Sequence, residues 1–212
     1  MLAEGNIILH TNILFQSLWH FPKIFFFLGG CKMRKKQILF IAEIGIFAAI
    51  GLVLDLLAGL YSEAIWPNGG SMTLAFVPIF IMGYKYGLKG GLLTGTVVGV
   101  IQLIWSKWLI NFPQILLDYV LPNVVLGLVG VVRRFVQNNK PVTQGIYITI
   151  SIIVVCILRL ASLTLSGVLY WETGLVASII YNGTFTGISC GACIVVTILL
   201  MNLLPKDYLT EK

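Results

Sequence analysis

The stretch FPQILLDYVLPNVVLG (residues 112–127) contains one charged side chain, Asp118, among isoleucines, leucines and valines. An apolar run of this kind is typical of a membrane-spanning helix, which needs about 20 such residues. A charge inside a bilayer is costly, so it is expected to face protein, water or a ligand. The stretch therefore predicts a membrane helix whose carboxylate has a role other than contact with lipid.

The composition of the whole chain agrees with a membrane protein. Of its 212 residues, 58% are hydrophobic and only 10% are charged, whereas a soluble domain is about half apolar and about one quarter charged. Backbone N–H and C=O groups in a bilayer must be paired within the segment, so the spans are expected to be helices. The sequence predicts an all-α integral membrane protein in contact with lipid.

Apolar runs separated by polar breaks divide the chain into six predicted spans. They are placed at 37–60, 72–84, 90–106, 113–132, 143–169 and 175–204. The membrane domain is then 33–205, followed by a cytoplasmic tail at 206–212. Residues 1–32 are apolar but interrupted by Pro22 and Lys23, and are interpreted as a non-native extension or a poorly ordered surface segment, with Met33 as a natural start.

The distribution of basic residues predicts the orientation of the spans. Lysine and arginine gather in every second connection: Lys32, Arg34, Lys35 and Lys36, then Lys85 and Lys89, then Arg133, Arg134 and Lys140, then Lys206 and Lys212. The opposite connections hold only Lys107, beside Glu63 and Glu172. Cytoplasmic loops carry the excess of lysine and arginine. Both termini are therefore predicted to be cytoplasmic, and the net charge of +6 indicates topology and not nucleic-acid binding.

The sequence lacks the motifs that mark several classes of enzyme. There is no G-x-x-x-x-G-K-[ST] phosphate loop and no H-E-x-x-H, and both histidines (His10 and His20) precede the spans. Cys190-Gly-Ala-Cys193 has C-x-x-C spacing without a second pair, whereas zinc takes about four ligands. We therefore expect no enzyme activity, no metal and no cofactor.

Four charges lie inside the predicted spans. Glu43 lies near the cytoplasmic end of the first span and is interpreted as an interfacial or partner-facing charge, while Asp55, near the outer end, is interpreted as solvated or capping. Asp118 and Arg159 leave two interpretations open: they form a structural ion pair, or Asp118 faces an outward-opening cavity and meets a cation.

Aromatic and amide side chains are predicted to gather at the depth of Asp118. Trp171 ends the fifth span, Tyr181 and Asn182 lie in the outer part of the sixth, and Trp66 is in the first outer loop. A carboxylate beside aromatic faces suits a flat organic cation, through charge and cation–π attraction.

Glycines spaced by four predict close helix packing. They occur on the third and sixth spans, as Gly91, Gly95 and Gly99 and as Gly183, Gly187 and Gly191. A further small-residue pair, Gly45 and Ala49, lies just past the cytoplasmic entry of the first span and is interpreted as a docking face for another membrane subunit.

The chain resembles the thiamine-specific S components of energy-coupling factor (ECF) transporters over roughly residues 37–205. The resemblance lies in AEIGIFAAIGLVLD, NGGSMTLAFVPIFIMGYKYGLKGGLLTGTVVGVIQ, FPQILLDYVLPNVVLGLVG, LRLASLTLSGV and IIYNGTF, in that order. It implies a six-helix S-component bundle in the bacterial plasma membrane that captures thiamine from outside. A membrane coupling subunit, docked on Gly45 and Ala49, and two ABC ATPases would supply the energy.

The same resemblance implies roles for individual residues. Asp118 matches the family's pocket carboxylate, and Tyr119 follows it in the family motif. Trp171 matches an aromatic position that stacks on the ligand, Asn182 matches a pocket amide, and Trp66 falls in the outer loop that acts as a lid.

Two positions depart from the family pattern. Leu163 stands where a histidine is usual, and Ala177 stands where a tyrosine is frequent. Either the affinity is lower, or Tyr181 or Thr164 substitutes, or the ligand is a related heterocycle such as a hydroxymethylpyrimidine-like thiamine precursor. A non-transport membrane scaffold is the alternative from another functional class.

Overall fold

The computed structural model describes residues 35–62, 64–66, 70–106, 109–205 and 208–209. The expectations for residues 1–32, for Met33 and for most of the tail lie outside these ranges. The chain divides into two compact units, Met1–Ile41 and Ala42–Lys212, of which the second contains the hydrophobic core.

The described part of the chain is helical and contains no strand, as predicted. Its helices are α1 (Lys35–Ser62), α2 (Phe76–Tyr86), α3 (Leu88–Ile101), α4 (Phe112–Asn138), α5 (Pro141–Tyr170) and α6 (Leu175–Leu203). Four of these, α1, α4, α5 and α6, are long and apolar enough to cross a membrane. Because α2 has 11 residues and α3 has 14, the number of complete spans and the side of the termini stay predictions.

Helix α2 is short because protein, and not lipid, surrounds it. Nearly every residue from Phe76 to Lys85 is buried, and the Ile79, Phe80 and Met82 side chains have no exposed surface. The helix contacts α3, α4 and α6. The buried hydroxyl of this helix, Tyr84 Oη, lies 2.8 Å from Ser151 Oγ of α5, so the enclosed polar group is hydrogen-bonded.

Helix α4 is irregular where it carries Asp118. Pro122 has no N–H to donate to the carbonyl four residues earlier, and residues Leu116–Val120 form a π turn in which Leu121 N–H donates to Leu116 O. Side chains satisfy two of the neighbouring carbonyls: Ser162 Oγ donates to Leu117 O at 2.8 Å, and Asn123 Nδ2 donates to Tyr119 O at 2.7 Å. Such π bulges often occur at functional sites.

Helices α3 and α4 pack along the glycine stripe predicted on the third span. A Cβ added at Gly91 would lie 2.3 Å from the carbonyl oxygen of Gly127, and one at Gly95 would lie 2.2 Å from that of Asn123. Gly87, at φ +74°, makes the sharp turn from α2 into α3. The two backbones therefore approach so closely that no side chain fits between them.

The same expectation is wrong for α6. A Cβ at Gly183, Gly187 or Gly191 meets no described atom within 4 Å. The spacing is the same as on α3, but these glycines do not face another helix of the described chain. Periodicity alone could not distinguish the two cases.

Glu43 does not face solvent or a partner, which corrects the expectation from the sequence. Both of its carboxylate oxygens accept hydrogen bonds of 2.8 Å from Lys85 Nζ, and the Lys85 side chain has no exposed surface. Tyr208 of the tail covers this pair: its ring lies 3.3 Å from Lys85 Nζ, and its hydroxyl donates to Glu43 Oε2 at 3.3 Å. Lys85 is thus a buried, neutralised charge within α2 and not a loop charge.

We predict that Gly91→Ala lowers the thermal stability of the purified protein, because the new methyl group would overlap the Gly127 carbonyl. Overpacking of this kind costs about 1–3 kcal/mol. The matched control is Gly187→Ala, which makes the same change at an open position and is expected to melt at or above the wild-type temperature. Equal melting of the two variants would contradict the close α3–α4 contact.

We predict that Lys85→Met strongly destabilises the protein, because it leaves the Glu43 carboxylate buried and unpaired at a cost of about 3–5 kcal/mol. Thermal unfolding in detergent should show Glu43→Gln/Lys85→Met recovering most of the loss, since the double variant buries no charge. Lys89→Met, at an exposed lysine of α3, is the control. A Lys85→Met variant as stable as this control would overturn the assignment.

Candidate ligand-binding site

A cavity of about 570 Å³ lies between parts of α1, α4, α5 and α6, the end of α3 and the segment that follows α1. It is lined by all six side chains predicted as a ligand site: Trp66, Asp118, Tyr119, Trp171, Tyr181 and Asn182. Gly45 and Ala49, predicted as a partner face, are exposed elsewhere on α1. The two groups therefore lie in different parts of the structure.

Asp118 is held by one of its two oxygens. Its Oδ2 accepts hydrogen bonds from Gln114 Nε2 at 2.6 Å and from Trp171 Nε1 at 3.1 Å. Its Oδ1 accepts none from the described residues. Gln114 is itself buried and lies one helical turn before Asp118, so it fixes the carboxylate from within α4 while one oxygen remains for a ligand.

No ion pair joins Asp118 to Arg159 within the described chain. The only salt bridge there is the one between Lys85 and Glu43. The Arg159 guanidinium instead lies 4.5 Å from the centroid of the Phe76 ring and donates from Nη1 to Asn123 Oδ1 at 3.4 Å. Of the two interpretations left open by the sequence, the structure therefore favours a carboxylate that faces the cavity.

Asp55 also lines the cavity, and the expectation that it caps its helix is wrong. Helix α1 continues for seven residues beyond it, to Ser62. Its Oδ2 accepts a 2.8 Å hydrogen bond from Gln102 Nε2 at the end of α3. Among the described residues, the cavity wall thus holds two carboxylates and one guanidinium, which is a formal excess of one negative charge.

Described residues of the segment after α1 contact α6 beside the cavity. Trp66 Nε1 donates to Thr184 Oγ1 at 3.0 Å, and the Trp66 indole meets the Phe185 ring edge to face at 6.3 Å. Gly70 N–H donates to Tyr181 Oη at 3.4 Å. The described residues of this segment, which we call the strap, therefore border the cavity, and the Trp66 indole and the Tyr181 phenol of α6 line its wall.

The remaining predicted residues have defined partners. Asn182 Nδ2 donates to Ser178 O at 3.0 Å and lies 3.2 Å from Ser178 Oγ, and Tyr119 Oη accepts from Ser106 Oγ. Leu163 and Ala177 form apolar parts of the wall. The Thr164 hydroxyl, suggested as a substitute contact, is buried and is not part of the wall, whereas Tyr181 is.

Comparison with known proteins identifies the family. The model of the thiamine transporter protein family (Thia_YuaJ) matches residues 41–209. The thiamine transporter ThiT of Bacillus subtilis (strain 168) is 26% identical over 191 residues, which cover 84% of this chain and 98% of that protein. This chain belongs to the thiamine transporter protein family.

A solved structure agrees with this assignment at the level of the fold. ThiT from Listeria monocytogenes matches with a TM-score of 0.71 at 20% identity, covering 82% of this chain and 99% of that one. The resemblance to thiamine-specific S components is thereby confirmed. Family membership also makes the protein a multi-pass membrane transport subunit and not an enzyme.

Sequence reasoning missed several residues that line the cavity of this thiamine transporter family member. They are Gln102, Trp105 and Ser106 at the end of α3 and Thr173 and Ser178 near the start of α6. The signal was present for the first three: QLIWS (102–106) places two polar residues and an indole at the end of a span that was treated as uniformly apolar.

Proposed function

We propose that this protein is the high-affinity thiamine-binding S component of an ECF-type ABC importer. It captures thiamine from outside the cell and passes it inward with a shared energising module. The observation that carries this proposal is the charge balance of the cavity, where Asp118 has one oxygen that no described residue engages.

The chemistry of thiamine matches this balance. Its thiazolium ring carries a permanent positive charge, which offsets the excess negative charge of the wall. Attraction between opposite charges strengthens where water is excluded, and an indole face adds cation–π attraction. Trp171 lines the same wall as Asp118 and orients this carboxylate through its Nε1–H.

The rest of the cavity suits the neutral part of the ligand. Asn182 supplies an amide for the aminopyrimidine, and Tyr181 and Trp66 supply aromatic surface from α6 and from the strap. Few polar groups set in a largely apolar wall are typical of small-molecule sites. Asp118 is then the charge-bearing group, and the remaining residues recognise shape and hydrogen-bonding pattern.

A thiamine precursor is the second candidate, because Leu163 and Ala177 replace two polar positions of the family pattern with apolar wall. A hydroxymethylpyrimidine is neutral, however, and would leave the excess negative charge of the cavity unbalanced. The charge balance therefore favours thiamine over the precursor.

The energy for transport is proposed to come from partner chains. The sequence has no phosphate-binding loop for ATP. Gly45 and Ala49 lie on an exposed part of α1, and a Cβ at Gly45 would meet no described atom within 4 Å. We assign this face to the membrane coupling subunit, which would bring two ABC ATPases, with both termini cytoplasmic in a bacterial plasma membrane.

We predict that Asp118→Asn weakens thiamine binding about 10- to 100-fold, because it removes the negative charge that attracts the thiazolium ring in the cavity. Equilibrium titration of the purified protein measures it, and Glu172→Gln, an exposed carboxylate at the end of α5, is the control. Unchanged affinity in Asp118→Asn would remove the carboxylate from the site. Wild-type protein that binds a hydroxymethylpyrimidine more tightly than thiamine would support the precursor instead.

We predict that Gly45→Leu/Ala49→Leu abolishes co-purification of the coupling subunit and the ATPases without changing thiamine affinity. Large side chains would prevent the close helix approach that small residues allow. Ile46→Leu/Ile50→Leu changes exposed neighbours on the same helix and is expected to retain the partners. Retention of the full complex by the first variant would place the docking face elsewhere.

A further inference from the structure

A chain of hydrogen bonds runs from Arg159 to Asp55 beside the cavity. Arg159 Nη1 donates to Asn123 Oδ1 at 3.4 Å, and Asn123 Nδ2 donates to Gln102 Oε1 at 2.7 Å. Gln102 Nε2 then donates to Asp55 Oδ2 at 2.8 Å. These hydrogen bonds join α5, α4, the end of α3 and α1. We name the four residues Arg159, Asn123, Gln102 and Asp55 the relay.

Only one orientation of the two amide side chains lets every group in the relay form its hydrogen bonds. A guanidinium can only donate hydrogen bonds, and an ionised carboxylate can only accept them. Each amide between them must therefore accept on the Arg159 side and donate on the Asp55 side, which is the orientation observed. Hydrogen bonds aligned in this way polarise one another. Asp55 is thus the counter-charge of Arg159, although two amides separate them.

The relay also determines where the guanidinium lies. Arg159 rests against the Phe76 ring, which is 2% exposed, and its Nε is buried without a hydrogen-bond partner in the described chain. Asp118, with an oxygen that no described residue engages, lines the same cavity. A guanidinium released from Asn123 would find in Asp118 an opposite charge with strong attraction at low dielectric.

We propose that Asp55, Gln102 and Asn123 are positioning residues that hold Arg159 away from Asp118 and so set the selectivity of the cavity for a permanently cationic ligand. This inference rests on the proposed thiamine-binding function. With the relay intact, Asp55 balances Arg159, and Asp118 is left for the ligand cation.

The relay predicts an unusual pattern among variants. Asp55→Asn removes the anionic end, so the cavity has no excess charge and Arg159 turns to Asp118. Asp55→Asn/Arg159→Gln removes both ends of the relay and restores one excess negative charge. The double variant is therefore expected to keep more of the selectivity for a cationic ligand than Asp55→Asn alone. A purely structural role for Asp55 would instead make the double variant at least as impaired as the single.

The test compares thiamine with 3-deazathiamine, a neutral isostere in which carbon replaces the thiazolium nitrogen. The ratio of their dissociation constants reports how strongly the cavity selects the charge. We expect Asp55→Asn to lower this ratio at least about tenfold relative to wild type. Asp55→Glu and Asp55→Asn/Arg159→Gln should restore most of it. Asn182→Ala is the matched control, since it should weaken both ligands alike and leave the ratio unchanged.

The outcomes separate the relay from the function on which it rests. A wild-type protein that binds neither ligand would overturn the proposed function and the relay with it. Wild-type protein that selects thiamine, together with an unchanged ratio in Asp55→Asn, would overturn the relay alone. A double variant whose ratio is as low as that of Asp55→Asn would do the same, because the charge of Arg159 would then have no part in selectivity. If Asp55→Asn does not fold, the ratio is measured in Gln102→Leu, where a broken relay is again expected to lower it.

Discussion

A carboxylate inside a membrane protein is costly unless an opposite charge or several hydrogen bonds offset it, and Asp118 is offset only in part. Gln114 and Trp171 engage one of its oxygens, while the guanidinium that could neutralise it is directed to Asn123. In the proposed function, this incomplete compensation makes the cavity selective for a cationic ligand. A bound cation would supply the missing positive charge, so the contact that neutralises Asp118 would also contribute to the binding free energy.

The fold supports this arrangement by bringing side chains from different helices together beside the cavity. The glycine contact between α3 and α4 brings Gln102 within hydrogen-bonding distance of Asn123. The π turn at Leu116–Val120 carries Asp118, and Ser162 and Asn123 satisfy two carbonyls within it. A separate ionic cluster, Glu43 with Lys85, joins α1 to α2 away from the cavity. The Glu43–Lys85 cluster is thus closed by its own partners in the described chain, whereas Asp118 has an oxygen directed to no described residue.

Most of the helices and the presence of Asp118 in the cavity wall could be predicted from the sequence, because apolar runs set the length of helices and an isolated carboxylate in such a run is conspicuous. Long-range pairing could not be predicted. Lys85 has the same chemistry whether it lies in a loop or pairs with Glu43, and the α6 glycines have the same spacing as those of α3 without the same contact. Gln102 and Asn123 acquire their role only when helices distant in sequence meet.

The most direct measurement is an experimental structure of the purified protein with thiamine bound. The account predicts the thiazolium ring beside Asp118 and against the Trp171 indole, with Arg159 still on Phe76 and hydrogen-bonded to Asn123. A structure in which Arg159 forms an ion pair with Asp118 while thiamine lies elsewhere, or in which the pyrimidine and not the thiazolium occupies the carboxylate, would contradict it.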